Sequence, residues 1–148
     1  MQVTGQPIVT SPLERFLAIL GAIVCLTITT LFWWDVSASQ TMWPLPGLYF
    51  IEMVALSIIS AFVLIRGHPR DKYIPWGAAG AIGAFSILAA LSVGVFYFPV
   101  ALIFTIISIT SDLRNQQPMT AHLGTFFVAG LAQAALMLAA VRLLHPSG

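Results

Sequence analysis

Charge is what this sequence has least of. Only 7% of its 148 residues are Asp, Glu, Lys or Arg, where a soluble domain carries about 25%. A water-soluble fold so poor in charge would leave large apolar patches on its surface, and such patches aggregate. With 59% hydrophobic residues, the chain needs an apolar solvent outside it as well as an apolar core within, and that solvent is lipid. The six basic residues form no run and the net charge is +1, which excludes the electrostatic footprint of a nucleic-acid binder. Cysteine is nearly absent too. Cys25 stands alone in an apolar run, so an internal disulfide is excluded and the thiol reads as a small core side chain.

The chemistry-bearing patterns are missing as well. No two histidines or cysteines have metal-ligand spacing. There is no Ser-His-Asp set, no HExxH and no glycine-rich phosphate loop. His68, His122 and His145 fall in loops or at helix ends, so no imidazole sits mid-span where haem or a chlorophyll-type pigment would hang. The sequence therefore predicts no enzyme and no cofactor or metal held by this chain alone.

What is present is a succession of long apolar runs. Ser11-Pro12-Leu13-Glu14 reads as a capping box with proline at the first helical position. The run after Arg15, followed by Ser37-Ala38-Ser39, loosely imitates a secretory signal. Phe16 to Trp34 is, however, longer than a signal's roughly 7–15-residue apolar region and ends in two tryptophans, so it reads as a membrane helix with an aromatic belt at its far end. A second span follows Trp43-Pro44-Leu45-Pro46 and stops at Gly67-His68-Pro69-Arg70-Asp71-Lys72. The third apolar block, residues 74–111, would measure roughly 57 Å as one helix, nearly twice a ~30 Å hydrocarbon core. Ser92-Val93-Gly94 and Phe96-Tyr97-Phe98-Pro99 interrupt it, and glycine, proline and interfacial aromatics together suit a turn.

The expected fold is all-α, a single membrane domain over 1–148. Five transmembrane helices are expected at about 12–34, 47–66, 75–92, 98–111 and 121–144. The alternative has four, with 74–111 one long broken helix. Counting basic residues gives five inside against one outside under either arrangement. It fixes the 67–72 loop as cytoplasmic and, with it, the N-terminus of a multi-pass cell-membrane protein.

In lipid, helices associate through close packing and interhelical hydrogen bonds, because the solvent offers no gain for pairing apolar faces. The third helix carries Gly77, Gly80, Ala81, Gly83 and Ala84, and the fifth carries Gly130 and Ala134. Their small-xxx-small spacing marks packing faces, within the bundle or against a partner subunit. The hydroxyls of Thr27, Thr29, Thr30, Ser57, Ser60, Ser86, Thr105 and Ser108 can bond back to carbonyls one turn earlier, so each carries little information. Gln133 is different, because its amide needs partners from another helix.

Glu52 is the one acid set inside a span, near the outer end of the second helix, with Asp35 on the same side. Intramembrane acids are functional candidates by default. Three roles are open to Glu52: an interfacial one near Trp43, a proton, ion or ligand site, and a salt bridge to another chain. Asp112 and Arg114 with His122 read as a solvated polar cluster at the cytoplasmic end. The function expected from this pattern is a non-catalytic accessory or structural subunit, in contact with the bilayer and other membrane subunits. The alternative is a small transporter or channel component using Glu52 near the outer membrane face.

Overall fold

A computed structural model describes residues 11–39, 45–67 and 73–144. Five α-helices account for nearly all of them, and no strand occurs among the described residues. They are α1 (Pro12–Ser39), α2 (Leu45–Arg66), α3 (Tyr73–Leu88), α4 (Phe98–Arg114) and α5 (Met119–Leu144), with a single 3-10 turn, Gly94–Tyr97, ahead of α4. The predicted capping box is formed: Ser11 N–H donates to Glu14 Oε2 at 2.9 Å and Glu14 N–H to Ser11 Oγ at 3.1 Å.

Block 74–111 is a hairpin and not one long helix. The Trp76 indole N–H, from the start of α3, donates to Asp112 Oδ2, near the end of α4, at 2.9 Å. In a continuous helix those residues would stand about 54 Å apart. The reversal is made at Gly94, whose N–H reaches back to the Ala89 carbonyl at 2.8 Å. A Cβ there would lie 2.5 Å from the Ala89 carbonyl carbon and 2.7 Å from its Cβ, so the turn requires glycine. The same turn ends α3 at Leu88, short of the expected Ser92, and Pro99 then opens α4.

Helices α2, α3 and α5 each start two residues earlier than expected, and the ends of α1 and α4 move outward. α1 continues through the Trp33-Trp34 pair to Ser39, because nothing in Asp35–Ser39 breaks a helix; the aromatic belt marks a solvent boundary, not a backbone one. α4 continues to Arg114, where Gln116 takes a left-handed φ of 49° and Gln117 N–H closes on the Asp112 carbonyl at 3.0 Å. That pairing is the Schellman stop.

α3 is the centre of the bundle. It packs against α5, α4 and α2, while α1 packs against α2 and α4. At 16 residues it is about 24 Å long and is covered largely by protein. The other four helices are long and apolar enough to cross a membrane, α4 with its leading turn. Aromatic contacts tie one end of the bundle together: Phe32 on Phe96 at 5.0 Å, Phe85 on Tyr97 at 5.3 Å and Tyr49 on Phe85 at 5.8 Å. Buried Tyr97 shares a 2.8 Å hydrogen bond with Thr29 of α1. Cys25 is fully buried beside the Met53 carbonyl.

Candidate functional site

α5 is attached in an unusual way. Of its described residues only His122 and Gln133 are buried, and both are polar. Eleven residues apart, they repeat almost in phase after three helical turns, so both face the body of the bundle. Between them Gly130 meets α3 closely enough that its Cβ would come 3.3 Å from the Gly80 carbonyl oxygen. Each buried polar residue meets a carboxylate from a different helix.

At the end of the bundle where α4 turns into α5, His122 Nδ1 lies 2.5 Å from Asp112 Oδ2, the oxygen that also accepts from Trp76. A carboxylate offers only acceptors, so Nδ1 carries the proton and donates. Nε2 is then left buried without a hydrogen-bond partner. Tyr73 packs edge-on against the imidazole at 4.8 Å. Asp112 is 5% exposed and His122 0%, so the reading of these residues as a solvated cluster is wrong for both. Arg114 does reach the surface, and it does so as half of an ion pair with Glu14: Nη2 stands 2.7 Å from Oε1 and Nη1 donates to Oε2 at 3.1 Å. The shorter contact is out of line for a hydrogen bond and acts by charge.

Closer to the opposite end, Gln133 Nε2 donates to Glu52 Oε2 at 3.0 Å. Glu52 is half-buried and Gln133 buried. α3 stands between α2 and α5, and this bond reaches across it. Tyr49, one turn before Glu52 on the same face of α2, has a buried hydroxyl without a hydrogen-bond partner. Glu52 therefore bonds into the bundle; Trp43, considered above as its neighbour, lies outside the described residues, as do His68 and His145. Asp35 lies on an exposed turn of α1. Among the described residues no group of three or more His, Cys, Asp or Glu is arranged to hold a metal.

The small residues divide by environment. Gly80 and Gly130 face one another across the α3–α5 contact, and Gly77 faces Thr125 and Ala129. Ala81 is buried. Gly83, Ala84 and Ala134 line an apolar groove of about 490 Å³ that runs between α4 and α5 over the surface of α3. Sequence reasoning singled out Glu52 and Gln133 separately but missed Trp76 and misjudged Asp112 and His122. One signal was available for the last two: they flank a short connection at 115–118, each within about a turn of it, where two antiparallel helices face each other.

No protein family, no curated protein and no solved structure matches this chain.

Proposed function

We propose that the chain is a non-catalytic accessory or structural subunit of a larger membrane complex. One contrast supports this reading. The polar groups at one end of the bundle are matched within the chain, Glu14 by Arg114 and Asp112 by Trp76 and His122, which leaves no convergent reactive set among the described residues. The bundle's surface meanwhile carries the groove between α4 and α5, with Gly83, Ala84, Ala101 and Ala134 along it. Such residues let a further helix approach closely in lipid, where tight packing drives association. Native mass spectrometry after extraction in mild detergent tests the idea. The expected result is co-purification in a heteromeric assembly. A stable homo-oligomer that conducts ions in liposomes, with flux abolished by Glu52→Gln, would establish instead the second reading, a transporter or channel component. That reading draws on the carboxylate within the span.

The proposed orientation has the N-terminus and the 67–72 loop cytoplasmic in the cell membrane, from the distribution of basic residues. In intact cells, an impermeant maleimide should react with Ser147→Cys and spare His68→Cys. The reverse pattern would invert the topology, and equal reaction at both would remove one crossing.

A further inference from the structure

The carboxylates held within this bundle are not matched alike. Glu14 has a guanidinium and a backbone N–H, and Asp112 has two N–H donors. Among the described residues Glu52 has one neutral donor, the Gln133 amide at 3.0 Å, although it lies within the apolar span Gly47–Arg66. Its surroundings are rich in acceptors. The second carboxylate oxygen and the Gln133 carbonyl oxygen have no hydrogen bond to a described residue, and the Tyr49 hydroxyl is buried without a partner one turn away. The apolar side chains beside it on α2, Leu48 and Ile51, are half-exposed on the helix surface.

Resting on the subunit reading above, we propose that Glu52, half-buried on α2, is the docking point for a transmembrane helix of another membrane protein bearing a lysine or arginine at the same depth. Charge complementarity selects this occupant. An isolated carboxylate and an isolated cation are each penalised in the bilayer, and pairing relieves both. A proton would neutralise Glu52 but bring a single donor. An ammonium brings three and a guanidinium five, together with the full opposite charge that the Gln133 amide lacks. The depth suits a helix-borne side chain, since Glu52 sits about 10 Å inside the outer end of α2 at 1.5 Å per residue.

The test uses the full chain in phosphatidylcholine vesicles with a fluorophore on Ser147→Cys. Its probes are two acceptor-labelled leucine–alanine transmembrane peptides, identical except for one lysine or leucine near the outer end. Energy transfer should report association about tenfold tighter for the lysine peptide. Glu52→Gln should abolish the difference and Glu52→Asp should keep it. The glutamine variant can still accept the Gln133 N–H through its own carbonyl, so its unfolding midpoint should match that of the parent. Equal association of the two peptides, or a lysine preference that survives Glu52→Gln, overturns the proposal. If the peptides associate equally while the native chain still purifies in a heteromeric assembly, the docking point fails and the subunit reading stands. A lysine preference without any such assembly overturns the subunit reading alone.

Discussion

Gly80→Ala will unseat α5 and cost the folded protein about 3 kcal/mol, at the upper end of what overpacking a close contact costs. A Cβ at position 80 would stand 2.1 Å from the Phe126 carbonyl oxygen, 2.9 Å from its carbonyl carbon and 3.0 Å from its Cα. All three are backbone atoms of α5, so no rotamer change relieves the clash, and the helices must separate by roughly 1 Å in an interior packed to crystal-like density. Separation loosens both polar attachments of α5, the His122–Asp112 and Gln133–Glu52 bonds. Alanine's better helix propensity, worth up to about 1 kcal/mol over glycine, opposes the loss without matching it. Two substitutions isolate the cause. At Gly77 a Cβ would meet Thr125 Cγ2 at an ordinary 3.8 Å, and at Gly124 it would meet nothing within 4 Å. Gly77→Ala and Gly124→Ala should therefore leave the midpoint of thermal or SDS-induced unfolding unchanged or slightly raised. If Gly80→Ala unfolds alongside Gly77→Ala, the close crossing of α3 and α5 is not real.

That contrast also marks how far the sequence could be read. Gly77, Gly80 and Gly83 share one spacing pattern, which identifies α3 as a close-packing helix. Their three environments depend on where α4 and α5 cross it, and local pattern carries no such information. Helix number follows from the length of the apolar runs together with the Gly94 and Phe96–Pro99 break, although α3, expected to span, is shorter than the four helices long enough to cross. The Ser11–Glu14 cap follows from local chemistry. The end of α1 was misread because Trp33 and Trp34 respond to the lipid boundary while the backbone responds to helix breakers. Ending α4 at Ser111 left Asp112 in a loop, where a charged residue normally meets water. Three more helical residues turn it inward instead. Gln133 and Glu52 were each conspicuous as polar groups inside spans, but the bond joining them closes 81 residues of chain. Nothing local connects the two.

Asp112→Ala should be among the most damaging single changes where α4 meets α5, costing about 3–5 kcal/mol, the range for removing one partner from a buried pair. Asp112 satisfies two donors at once, Trp76 Nε1 at 2.9 Å and His122 Nδ1 at 2.5 Å. Both lie in residues that are 1% exposed or less. Alanine leaves the two N–H groups buried and unmatched, each costing about 1–3 kcal/mol. Asp112→Asn is milder, about 1–2 kcal/mol, because its carbonyl oxygen can keep one donor. Trp76→Phe removes one donor while keeping an aromatic ring, and its cost adds to that of Asp112→Ala by less than the sum, because groups sharing one network are not additive. Gln133 still holds α5 to Glu52, so the damage should be confined to one end. Hydrogen exchange in detergent should rise in the first two turns of α5, near His122, before it rises near Gln133. A cost for Asp112→Ala within about 0.5 kcal/mol, the range of an ordinary surface substitution, would return this carboxylate to water and remove this attachment of α5.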